Sequence, residues 1–144
     1  MVYGQFERTI DAKNRVALPA KLRDALGSKF YLTISMNNVI ELRDEAEFNS
    51  MTANLNAQSI YDANARMLKR YILGNTHEIE LDAQARFIIP KPALAKGEIQ
   101  KDVIFIGVGN FVELWGAETF KNYEQSISDE DIALAARALA DKER

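Results

Sequence analysis

Cysteine is absent from this 144-residue chain, histidine occurs once and proline three times. Without thiols there are no disulfides, no thiolate zinc site and no cysteine nucleophile. The lone His77 sits in a strand pattern and has neither the clustered partners of a metal site nor a paired nucleophile. Glu78 and Glu80 alternate beside it and read as the solvated side of that strand. The segment GVGN lacks both the full glycine-rich phosphate pattern and a following helix, so it reads as a hairpin turn. These shortages argue against an enzyme and lead to an expectation of no metal and no cofactor. Apolar runs stay well below the roughly 18 residues of a membrane span. The opening MVYGQFERTID has no charged segment followed by an apolar one, as a signal peptide would. A soluble cytoplasmic protein with no membrane partner is the expectation.

A basic excess is also missing. Net charge is −3, which by itself speaks mildly against a nucleic-acid partner. The distribution says more than the sum. Residues 1–43 carry seven Lys/Arg against four Asp/Glu (+3), residues 44–115 seven against ten (−3), and residues 116–144 four against seven (−3). A locally basic region can attract phosphate while acid elsewhere maintains solubility.

What the chain does contain is a repeat. DAKNRVALPAK returns as DAQARFIIPKP, with Asp11, Arg15 and Pro19 recurring 71 residues on as Asp82, Arg86 and Pro90. After one inserted residue the shift becomes 72, and Lys29, Ile34, Asn38, Glu41, Leu42 and Phe48 meet Lys101, Ile106, Asn110, Glu113, Leu114 and Phe120. Two β-rich half-units are expected at 1–50 and 74–122, with linker helices at 51–73 and a helical tail at 123–144. The fold class is α+β.

Each half reads in the same order. QFERTI alternates apolar and polar residues like a half-buried strand. With the turn formers DAKN and the short run RVAL, it predicts a hairpin over QFERTIDAKNRVAL. Pro19 suits the first turn of a helix PAKLRDAL that stops at Gly27. KFYLTI and NVIEL form a second hairpin. HEIEL, RFII, DVIFIGV and NFVELW take the matching places later, around a weaker helix KPALAKG. Asp44 with Glu47 predicts a capped helix EAEFNSMTANL, and Ser128 with Asp131 caps DEDIALAARALADK. Between them DANARMLKRYIL places Met67, Leu68, Tyr71 and Ile72 on one side and stops at Gly74. The helices at 59–73 and 129–142 have narrow apolar faces that suit either subunit contacts or packing on their own half-units.

The Asp-x-x-x-Arg pair has two compatible readings. In the plain structural one, Asp11 and Asp82 accept hydrogen bonds in tight turns that Arg15 and Arg86 close. In the functional one, those arginines stand at hairpin tips and offer guanidinium forks to DNA, where a planar fork binds phosphate or guanine bidentately. Lys13 and Asn14 favour DNA at the first copy. Lys21 and Arg23 on the following helix are candidate phosphate contacts, or simply a solvated helix face. Gln84 and Ala85 replace Lys13 and Asn14 in the second copy, so the first is expected to lead any reading of bases.

The doubled motif, together with NVIEL, NFVELW and RMLKRYILGN, resembles the MraZ family over essentially the whole chain. MraZ proteins are similar in fold to the AbrB-type swapped-hairpin transcription factors. The resemblance therefore implies two AbrB-like half-units closed into one intramolecular barrel, and subunits assembled into a ring. It further implies a sequence-specific transcriptional regulator on the nucleoid, bound to repeated promoter elements ahead of the division and cell-wall gene cluster. DNA-binding roles then fall on Arg15 and Arg86, and orienting roles on Asp11 and Asp82. Pro92 and the less basic second loop depart from an even use of the halves. An oligomeric protein-interaction scaffold and an AbrB-like antitoxin are the alternatives.

Overall fold

The computed structural model describes residues 1–143; Arg144, the last residue of the expected tail, lies outside them. The first half gives β1 (Val2–Thr9), β2 (Arg15–Ala17), α1 (Ala20–Leu26), β3 (Lys29–Ile34), β4 (Ile40–Arg43), α2 (Glu45–Asn56) and α3 (Ala63–Leu73). The second repeats that order with β5 (Thr76–Glu80), β6 (Arg86–Ile88), α4 (Lys91–Lys96), β7 (Asp102–Gly109), β8 (Val112–Gly116), α5 (Ala117–Gln125) and α6 (Asp129–Lys142). No helix among the described residues is long and apolar enough to cross a membrane.

The strands form a six-stranded sheet in the order β1-β7-β8-β4-β3-β5 and a separate ribbon of β2 with β6, all antiparallel. The expected hairpins β3–β4 and β7–β8 are present. The expected barrel is not. The large sheet is open, with β1 and β5 as its edges, and the ribbon lies apart from it. The hairpin predicted over QFERTIDAKNRVAL is also corrected. β1 leaves for the sheet, where it pairs with β7, while β2 pairs with β6. A tight turn at residues 11–15 therefore joins two different sheets. Alternation alone could not reveal this, because each strand's partner belongs to the other half.

The core is sandwiched between the sheet and the ribbon. Phe30, Leu32, Ile40, Leu42, Val103, Phe105, Val112 and Leu114 project from the sheet and are fully or almost fully buried. From the other side come Val16 and Phe87 of the ribbon with Leu22 of α1 and Ala93 of α4. Phe87 stands edge-on to Phe30 at 5.5 Å and to Phe105 at 6.5 Å between ring centroids. One ribbon ring thus ties together strands of both halves. Such aromatic pairs add about 0.5–1.5 kcal/mol each beyond their area burial.

The opposite face of the sheet carries helices. Phe48 of α2 stacks on Tyr31 at 4.6 Å, and Trp115 packs on Phe120 and Tyr123 of α5. Asp44 accepts the Glu47 N–H as the N-cap of α2, and Ser128 and Asp131 form a reciprocal capping box on α6. Every described residue of α6 is exposed, including Ile132, Leu134 and Leu139. Its apolar stripe does not pack on its own half-unit.

Candidate nucleic-acid interface

The two Asp-x-x-x-Arg turns are built alike. The Asp11 carboxylate accepts from the backbone N–H groups of Lys13 and Arg15, each at 2.9 Å, and from Arg15 Nε at 2.7 Å. Asp82 accepts from the N–H groups of Gln84 and Arg86 at 2.9 Å and from Arg86 Nε at 3.1 Å. The backbone closes each turn a second time, through Asp11 N–H to the Arg15 carbonyl and Asp82 N–H to the Arg86 carbonyl. Asn14 and Ala85 occupy the left-handed region, at φ 62° and 59°. An asparagine adopts that conformation readily; an alanine is strained by it.

These donors hold both aspartates below the usual carboxylate range. In each case the leading cause is the backbone N–H of the motif arginine, opposed by some desolvation and reinforced by its guanidinium. Each acid is thereby kept ionised and stiffens the loop that presents its arginine. This closure ties each aspartate to its own arginine. It leaves the arginine ends available, since Arg15 uses Nε for Asp11 and neither Nη is hydrogen-bonded to a described residue. Arg86 differs: its Nη2 donates to Gln84 Oε1 at 3.2 Å, so part of its fork is already occupied.

The ribbon brings the two turns together in a way the local sequence did not indicate. Antiparallel pairing sets Arg15 opposite Ile88 and Ala17 opposite Arg86. Val16 and Phe87 point into the core, so side-chain alternation puts Arg15, Ala17, Arg86 and Ile88 on the outward face. The arginines are diagonal neighbours there, about 7–8 Å apart by sheet geometry. They form one double-armed surface rather than two separate tips. Main-chain hydrogen bonds reinforce it across the halves, from Leu18 N–H to the Ala85 carbonyl and from Ile89 N–H to the Asn14 carbonyl.

Lys13 is exposed and Asn14 half-buried within the first turn. Lys21 and Arg23 are exposed on α1. Arg23 lines an indentation with Asp82, Ala83 and Ala85, so this first-half cation stands beside the second turn. By the 71-residue shift its counterpart is Leu94, which packs on the core. The second turn thus has Gln84 where the first has Lys13, but gains a helix arginine that the first lacks. Ile88, exposed on the same face, carries no motif that marks it in the sequence. The register match of Ile88 to Ala17 was the available signal, but its meaning depends on the ribbon.

A duplicated β-module that mounts two rigid arginine turns on one two-stranded ribbon defines the class. The chain belongs to the MraZ family: the family model described as "MraZ protein, putative antitoxin-like" matches it twice, over residues 1–71 and 72–142. It is 43% identical to the "Transcriptional regulator MraZ" of Mycoplasmopsis pulmonis, covering 91% of this chain and 89% of that protein. It is 37% identical to the Mycoplasma mobile protein of the same name, over 90% and 89% of the two chains. The Thermoanaerobacter sp. protein, also of that name, is 40% identical over 92% and 94%.

Proposed function

We propose that this protein is a sequence-specific DNA-binding transcriptional regulator that acts as a homo-oligomeric ring on repeated promoter elements. The observation that carries the reading is the outward face of the β2–β6 ribbon. Two arginines, each braced by a buttressing aspartate, share a surface of the size the DNA major groove admits; that groove is about 12 Å wide and accommodates a two-stranded ribbon. Arg15 leads because both of its Nη groups are available. Lys13 and Asn14 supplement it, while Arg23 beside the second turn and Lys21 elsewhere on α1 supply phosphate contacts. The names of the relatives support regulation of transcription, and the family resemblance directs it to the division and cell-wall gene cluster, on the nucleoid.

Exchange of strands between the halves supports reading the body as an intramolecular form of the AbrB-type swapped-hairpin arrangement, opened into a sheet plus a ribbon. The uncovered stripe of α6 supports assembly. α6 bears Asp129, Glu130, Asp131 and Asp141 against Arg137 and Lys142, whereas α3 bears Arg66, Lys69 and Arg70 with no acid. α3 also exposes Met67, Leu68 and Tyr71. An acidic apolar helix docked on the basic apolar helix of the next copy is a head-to-tail contact, the kind that closes into rings. One weak reader per copy then gains avidity on spaced DNA repeats through effective concentration.

Footprinting on the protein's own upstream DNA tests the reading, because it reports binding, site repetition and spacing together. Protection of evenly spaced short elements, lost with Arg15→Ala in a folded protein, is the expected result. No promoter shift at low salt, with oligomers intact, sinks the reading in favour of a protein-interaction scaffold.

A further inference from the structure

Of the four side chains on the outward face of the ribbon, three have an evident place in DNA binding or are too small to matter. The fourth is Ile88, 62% exposed and directly opposite Arg15. Directly opposed residues have Cβ atoms about 4.5–5.5 Å apart, so Ile88 is rooted beside Arg15 on the same face, while the Arg15 side chain itself leans to Asp11 on the other edge of β2. At the repeat-related position the chain has Ala17, opposite Arg86. The apolar group therefore accompanies the arginine whose fork is open and is missing beside the one that Gln84 partly occupies.

We propose that Ile88 is a specificity-determining residue that reads a thymine C5-methyl group in the major groove, next to a guanine held by Arg15. This rests on the DNA-binding reading above and deepens it. An arginine fork fits guanine O6 and N7, and the only apolar group displayed in the major groove is the thymine methyl. Base pairs rise about 3.4 Å per step. Two side chains rooted about 5 Å apart on one face thus meet base pairs within a few steps of each other along the groove. The two halves cooperate in this reader, since Arg15 comes from the first copy of the repeat and Ile88 from the second. The competing explanation is β-propensity alone, as isoleucine suits any strand position. That explanation predicts indifference to the thymine methyl.

The test uses the assembled full-length protein and a promoter fragment chosen by footprinting. Thymines in the protected element are replaced singly by deoxyuridine, which removes only the methyl group. At one position close to a guanine, wild type loses about fourfold in affinity, the value of one buried methyl-sized group. Ile88→Ala binds the unmodified element with a similar loss and is insensitive to deoxyuridine at that position. Ile88→Val, which keeps the branched methyls, stays sensitive. Affinity for unrelated DNA and the salt dependence are the same for all three proteins. The proposal is overturned if Ile88→Ala binds the promoter as wild type does, or if it responds to every deoxyuridine as wild type does. Failure of the wild type to bind the promoter at all refutes the DNA-binding reading itself, a distinct result.

Discussion

Replacement of Arg15 by lysine keeps the charge and should still cripple promoter recognition. In the DNA-binding reading proposed above, Arg15 divides its guanidinium between two tasks. Nε donates to Asp11 at 2.7 Å, and both Nη groups are left for a ligand. A lysine has one ammonium nitrogen; held by Asp11 it is withdrawn from DNA, and extended to DNA it gives up its brace. The loss is that of one bidentate base contact, about 1–3 kcal/mol, or roughly 5- to 150-fold in affinity. Binding to unrelated DNA, which depends on charge alone, stays close to wild type with the same salt slope. Arg15→Ala loses the promoter preference and also lowers the slope of log K against log salt by about 0.9 for each phosphate-equivalent contact removed. Fluorescence anisotropy titrations across a salt series, on promoter and unrelated duplexes, separate the two effects. Promoter binding by Arg15→Lys within twofold of wild type would refute the fork argument and leave Arg15 a point charge or a mere turn lock.

Four further outcomes follow from the structure. Asp11 and Asp82 have depressed folded-state pKa values, so their contribution to stability is present above the ordinary carboxylate pKa, near 4, and is lost as pH falls through the lower folded values. NMR titration should show both carboxyls protonating below the ordinary carboxylate midpoint; ordinary midpoints for both would contradict the buttress. Phe87→Ala removes the ring that bridges Phe30 and Phe105 and should cost about 3–5 kcal/mol in denaturant unfolding, whereas a cost below about 1 kcal/mol would mean that the ribbon is not anchored there. Ala85→Asn puts the residue of the first turn into the left-handed position of the second and should stabilise by about 0.5–1 kcal/mol, visible as a raised melting temperature. Ile132→Glu with Leu139→Glu, both on the uncovered face of α6, should dissociate the proposed assembly in light scattering with an unchanged circular dichroism spectrum; an unaltered mass would clear α6 of the contact.

Much of this molecule was legible because its signals are local. Pro19 and Gly27 bracket α1, the Ser128–Asp131 box opens α6, and the turns between β3 and β4 and between β7 and β8 lie within short segments. The buttressed turn was legible for the same reason, since Asp11 and Arg15 are only four residues apart. What escaped was non-local. β1 and β2 look like a hairpin because alternation specifies a strand without naming its partner, and the partners lie in the other half. Helix α5 has only the match of Phe120 to Phe48 of α2 to mark it in the repeat; its few apolar residues pack on Trp115, a contact that only folding reveals. The composite outward face of the ribbon escaped most completely. Ile88 is ordinary in a strand and becomes notable only when β6 lies against β2.

The pairing of β1 with β7 has a consequence for how the protein is made. Thr9 and Asp102 stand 93 residues apart in the chain yet face each other in the sheet. At about 5–20 residues per second, the first strand waits roughly 5–20 s on the ribosome for its mate. β2 waits likewise for β6, so a nascent or prematurely terminated polypeptide bears one arginine turn without the strand that props it. If the ribbon is the DNA-binding surface proposed above, half-made copies lack it, and only finished molecules grip promoters.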